Sequence, residues 1–183
     1  MGQRQPLWFA ICVRPRFERV VASNLERKGF EVVLPTHSPQ SRKKKQRRSD
    51  VPSFPGYVFC KSTTAEIPSL LAVPGVLYLL GAGIDEYPTT QSEIKALKVA
   101  VDAGLQCRPC PFLESGRRVR ISEGPLRGLE GIVPNGRNGL GNRHGNRIVI
   151  GISCLQRAVV VEMNEDSRVA PVFRERPNLV STK

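Results

Sequence analysis

The order of apolar and polar positions divides the chain into alternating longer elements followed by a region of short strands. Trp8 to Val13 is an unbroken apolar run of aromatic and branched side chains, bounded by Pro6 and Pro15, and predicts a buried strand. After Pro15 the period changes. Phe17, Val20, Val21, Leu25 and Lys28 recur at helical spacing, with Glu18, Arg19, Glu26 and Arg27 largely on the other side, and Gly29 stops this helix. Phe30 to Leu34 predicts a second strand closed by Pro35, and Phe54 to Cys60 a third. Ile67, Leu70, Leu71 and Val73 suggest a brief helix ended by Pro74-Gly75, and Val76 to Leu80 reads as a fourth strand. Pro88 to Ala103 then places Ile94, Leu97 and Val101 on one helical face behind a capping Thr89 or Thr90. This order predicts an α+β fold, a small, mainly antiparallel sheet with helices packed against it, over residues 1–105.

Residues 106–114, rich in cysteine and proline, read as a linker. From 115 the pattern is one of short strands and glycine turns. Arg118-Val119-Arg120-Ile121 alternates charged with apolar, Gly124-Pro125-Leu126-Arg127-Gly128 is a turn, and Leu129 to Val133 alternates again around Gly131. A glycine- and asparagine-rich cationic loop over 135–146 follows, then strands at Arg147 to Ile152 and Ala158 to Met163. Four or five short strands in so few residues predict a small β-barrel over 115–170, too small for an internal active site. Residues 171–183 read as a disordered tail.

Charge changes this picture more than composition does. The chain has 183 residues, is 40% hydrophobic, and carries a formal charge of +12 with a pI near 10.1. Basicity on this scale points to nucleic acid or an anionic surface. A membrane is the weaker candidate: Leu7 to Val13 is far short of a span of roughly 20 residues, nothing before it resembles a signal peptide, and a cytoplasmic protein is expected. Six cations occupy seven positions in Arg42-Lys43-Lys44-Lys45-Gln46-Arg47-Arg48, and their mutual repulsion is relieved by a polyanion. That run leads into the aromatic strand Phe54-Pro55-Gly56-Tyr57-Val58-Phe59. Alternation sends Tyr57 and Phe59 to the same face, which suits either a docking surface or a core.

Catalysis finds little support. His37, His144, Asp85, Glu86, Asp102 and Glu123 form no spaced constellation, and the glycines of 136–145 lack the Gly-Lys-Ser/Thr ending of a phosphate-binding loop. Five cysteines without framework spacing agree with a reducing compartment. Cys107-Arg108-Pro109-Cys110 has ligand-like spacing, but no second pair completes a zinc site, and its prolines favour an extended segment with incidental thiols. No metal or cofactor is expected.

Taken in order, several segments resemble the NusG family of transcription elongation factors. Trp8 to Val13 with Pro15-Arg16-Phe17-Glu18, Leu25, Gly29-Phe30-Glu31 and Leu34-Pro35 is similar to the opening of its first domain. Phe54 to Phe59 is similar to that domain's most recognisable strand, and Val73-Pro74-Gly75-Val76 to the segment after it. Gly116, Val119, Ile121, Gly124, Pro125, Gly128, Gly131 and Val133 resemble the KOW motif of the second domain. The likeness covers about residues 7 to 165, and although KOW alone also occurs in ribosomal proteins, the ordered pair is specific.

The resemblance implies a non-catalytic monomer whose first domain binds the clamp helices of RNA polymerase beside the upstream DNA and nontemplate strand. Its KOW barrel would recruit the ribosomal protein NusE or the termination factor Rho. By position, Phe54, Tyr57, Phe59 and Leu79 would face polymerase. Arg14 and Arg16, with Arg42, Lys43, Lys44, Lys45, Arg47 and Arg48, would face DNA, or RNA as a further candidate. The dense basic run and the long glycine-rich turn look more like the specialised RfaH and UpxY groups, antiterminators of selected operons. The competing expectation is a ribosome-associated or other RNA-binding KOW protein.

Overall fold

The computed structural model describes residues 5–39, 49–80, 89–112, 117–124, 126–133, 146–163 and 169–171. The first part of the chain comprises β1 (Leu7–Val13), α1 (Glu18–Arg27), β2 (Glu31–Val33), β3 (Thr36–His37), β4 (Val51–Pro52), β5 (Tyr57–Ser62), α2 (Ile67–Leu71), β6 (Val76–Leu80) and α3 (Thr89–Asp102). The side chains of the expected caps Thr89 and Thr90 lie outside the described residues. Four of these strands form one antiparallel sheet in the order β2-β5-β1-β6.

Period-2 alternation divides the core between the two faces of that sheet. Ile11, Val13, Val58 and Cys60 pack with Val21, Ala22 and Leu25 of α1 and Leu70 of α2. The other face carries Trp8, Ala10 and Phe59 against Ile94, Leu97 and Ala100 of α3. Gln91 clamps α3 to the end of β1 by accepting from Trp8 N–H and donating to Trp8 C=O, both at 2.7 Å. It satisfies the Trp8 main chain beyond the last described β1–β6 pair, Ala10 with Leu80.

Local chemistry fixes the joints. Helix α1 closes at Gly29, whose φ of +88° suits a residue without Cβ, and Phe30 N–H returns to Leu25 C=O. Thr63 and Glu66 form a capping box ahead of α2, and these donors hold the Glu66 carboxyl below its ordinary range. The expected strand at Phe54 starts later, because Pro55-Gly56 make a turn in which Tyr57 N–H reaches Phe54 C=O and Gly56 has φ +85°.

The second part contributes β7 (Arg108–Cys110), β8 (Arg117–Ile121), β9 (Glu130–Val133), β10 (Asn146–Ile152), β11 (Arg157–Met163) and β12 (Val169–Pro171) in one sheet ordered β12-β8-β9-β10-β11-β7. Two expectations change here. The segment read as a linker supplies β7, pairing Arg108 to Cys110 with Val160 to Ala158 of β11. The polar stretch 36–52 is not structureless at its root, since β3 and β4 pair there. Gly131 is required by proximity, for a Cβ on it would lie 2.1 Å from Ile148 Cγ2 and 2.7 Å from Val149 O. The loop 135–145 and the tail beyond 171 lie outside the described residues.

The two sheets share a core. Ile148, Ile150, Ile152, Val159 and Val161 belong to the same buried cluster as Trp8, Phe59 and the inner face of α3.

Candidate functional site

Register across three strands creates a polar-aromatic row at one end of the first sheet. Cys12 on β1 stands opposite Tyr57 on β5 and Tyr78 on β6, so the three side chains share the face that carries Ala10, Phe59 and Leu80. Tyr78 is 49% exposed, whereas Tyr57 and Cys12 are half-buried. The hydrogen bond between the Tyr78 phenol and the Cys12 thiol, with the charges Cys12 and Tyr57 can develop beside it, pushes Tyr78 up to about 12. It remains a neutral donor at physiological pH.

The interior end of the same face is closed. Phe54 and Phe59 are fully buried and meet edge to face at 5.4 Å between centroids, a geometry that stabilises a core pair. Leu79, expected beside Tyr57, pairs with Ile11 and packs into the opposite core with α1 and α2. Counting in twos from the observed register puts Tyr78 and Leu80, not Leu79, on the Tyr57 face. Of the four expected aromatic-face residues, Tyr57 alone is partly open to solvent on that face.

The second sheet reaches this face through two polar contacts. The Arg157 guanidinium lies 5.5 Å from the Tyr57 ring centroid and donates to Pro55 C=O at 3.1 Å. Glu93 of α3 accepts from Ser153 N–H at 2.9 Å and from Ser153 Oγ–H. Burial raises the Glu93 carboxyl, and the Ser153 donors and the Arg118 charge offset this only in part.

Arg14 and Arg16 are exposed in the loop between β1 and α1, and Arg16 adopts φ +68°. Arg42, Lys43, Lys44, Lys45, Arg47 and Arg48 lie outside the described residues, but the root of their loop is well held. Cys107 N–H donates to Thr36 C=O at 3.1 Å, Ser53 Oγ to Cys107 C=O, and Ser38 N–H to Gln106 Oε1 at 2.6 Å. The same contacts bury Cys107, whose thiol burial pushes up to about 12, and Cys110 goes to about 11. Both thiols are thus held protonated at neutral pH.

Those KOW-like residues that are described are architectural. Val119, Ile121 and Val133 are buried, Gly124 and Gly128 have φ of +87° and +90°, and Gly128 N–H donates to Ile121 C=O at 2.9 Å. Gly116 and Pro125 lie outside the described residues. Cys12, Tyr78, Glu93 and Arg157 escaped the sequence reading. Alternation along Val76 to Leu80 carried a signal for Tyr78, but Glu93 and Arg157 meet their partners only through tertiary contact.

Residues 6–98 match the family model described as "Transcription termination factor nusG". The chain belongs to the NusG family. It is 29% identical over 165 residues to the transcription termination/antitermination protein NusG of Pseudomonas aeruginosa, covering 87% of this chain and 90% of that protein. It is 27% identical over 152 residues to the protein of the same name from Escherichia coli strain K12, covering 80% and 81% respectively. Among solved structures, "Domain interaction in Thermotoga maritima NusG" aligns over 91% of this chain and 98% of its own, with TM-score 0.46 and 18% identity. The chain combines helices and sheets, and no helix among the described residues is long and apolar enough to cross a membrane.

Proposed function

We propose that this chain is a non-catalytic, cytoplasmic transcription termination/antitermination factor that binds RNA polymerase through the Tyr57–Cys12–Tyr78 end of its first sheet. The observation that carries this reading is the row itself: three strands are in register so that two tyrosines and a thiol occupy one open sheet end. Tyrosine suits a surface that is wet in one state and desolvated in another, because a ring that buries large apolar area keeps a hydroxyl to bond. Family membership supports a polymerase partner.

Arg14 and Arg16 would face DNA beside that polymerase, and the basic run 42–48 would add sequence-independent attraction to phosphates. The second sheet would be the KOW barrel, recruiting NusE or Rho. Density of the basic run favours a specialised paralogue of the RfaH or UpxY kind over a factor that serves every gene. The test is elongation in vitro by polymerase from the same cell across pause and terminator sites, with and without the full-length chain. The proposal predicts altered pausing or read-through. Identical transcripts in both reactions, on templates from several operons, would refute it.

A further inference from the structure

Residues 105–112, which follow α3, are held at both ends. At the near end Leu105 packs against the shared core and Cys107 is fully buried in it. Three hydrogen bonds tie this end to the root of the basic loop: Cys107 N–H donates to Thr36 C=O at 3.1 Å, Ser53 Oγ–H to Cys107 C=O, and Ser38 N–H to Gln106 Oε1 at 2.6 Å. Ser53 is itself 3% exposed, and its own N–H donates to Pro35 C=O at 2.9 Å. With the hydroxyl proton spent on Cys107, its oxygen is left to accept from His37 Nδ1, 3.3 Å away. At the far end β7 pairs with Val160 to Ala158 of β11, and Arg108 reaches Glu162 at 3.7 Å. Phe112 lies on β10 where Gly151 leaves room, since a Cβ there would come 2.8 Å from Phe112 Cε2.

A flexible tether would let the second sheet leave and return independently of the first. This connector has no slack to do so. Cys107, bonded to the root of the basic loop, is followed in one peptide by Arg108, the first residue of β7, so the two anchors move together. β11, which β7 pairs, begins at Arg157, whose guanidinium lies over the Tyr57 ring and donates to Pro55 C=O. The path from Ser53 to the Tyr57 row is therefore continuous through Cys107, β7, β11 and Arg157. We infer that residues 105–112 are a strap, anchored on β3 and β4 through Ser53, that sets the place of the second sheet over the Tyr57 row. Ser53 is then a positioning residue for the polymerase contact. This deepens the docking proposed above and rests on that reading. Without the Ser53 hydroxyl, the Cys107 carbonyl loses its donor where water does not reach, and the strap relieves that loss by lifting away.

The test pairs hydrogen exchange of the full-length chain, read by mass spectrometry over residues 108–112, with its affinity for core RNA polymerase. Ser53→Ala releases the near end of the strap and Phe112→Ala the far end. Either should speed exchange of the β7 amides roughly tenfold while β1 and β5 keep their protection. Either should also strengthen polymerase binding roughly threefold or more, because more molecules leave Tyr57 uncovered. A merely structural role gives no such gain. One strap joins the two sites, so the double variant should do little more than either single variant. Gln106→Ala, at an exposed position, should shift both readouts less and in the same direction without threatening the fold. Unchanged β7 exchange in all three single variants, additive gains in the double variant, or a polymerase affinity that falls with stability would overturn the proposal. Faster exchange in chains of which none, wild type included, binds polymerase would uphold the strap and overturn the polymerase reading together with Ser53's part in it.

Discussion

Glu93 is the residue at which the contact between the two sheets can be read by pH. Its carboxyl is raised because burial outweighs the Ser153 donors, so the folded state holds its proton more tightly than the unfolded chain does. The stability this contributes is therefore full below the ordinary carboxyl range and is lost as pH rises through the raised value. Glu93→Gln keeps an acceptor for Ser153 without the buried charge. It should raise the thermal midpoint near neutral pH and converge with wild type in acid, a comparison that calorimetry at several pH values makes directly. A second single-residue prediction separates core from surface. Phe59→Ala should cost about 3–5 kcal/mol, because the ring is fully buried against Phe54, whereas Tyr78→Ser should leave the denaturation midpoint nearly unchanged.

At the scale of elements, most helices and strands were legible because their periods are clean. The helix at Glu18–Arg27 and the strands at Leu7–Val13 and Val76–Leu80 lie where alternation and punctuation put them. What alternation cannot supply is the register between strands. Leu79 and Tyr78 are neighbours in an apolar strand, and only the pairing of Cys12 with Tyr78, next to an irregularity between Cys12 and Val13, decides which of them joins Tyr57. Phe54 lies inward for a different reason: Pro55-Gly56 turns the chain before the strand begins. The strand Arg108–Cys110 is not legible in the sequence because Pro109 interrupts it and Pro111 follows it; pairing at a sheet edge tolerates Pro109. Close packing within the second sheet gives a prediction at this scale. Gly131→Ala should destabilise the protein by about 1–3 kcal/mol, since its new methyl meets the β10 backbone at Val149 as well as the Ile148 side chain. Urea denaturation reads this, and an unchanged midpoint would mean β9 and β10 can separate freely.

The whole molecule combines a basic surface with a sheet face that is shared. One end of that face is buried under α3 and the second sheet, and Arg157 holds the rim of the open end by lying over Tyr57. The proposed polymerase contact at Tyr57 would have to displace Arg157, so Arg157→Ala should strengthen binding rather than weaken it. The net charge of +12 should make any nucleic-acid affinity fall steeply with salt, while an aromatic contact to polymerase should persist. The measurement that tests the central claim most directly is the affinity of the full-length chain for core RNA polymerase, compared among wild type, Tyr57→Ser with Tyr78→Ser, and Leu79→Ala. Loss of binding in the tyrosine pair, with the Leu79 variant binding as wild type does after allowance for its stability, is the predicted result. Wild-type affinity in the tyrosine pair would contradict the assignment of this sheet end as the polymerase surface.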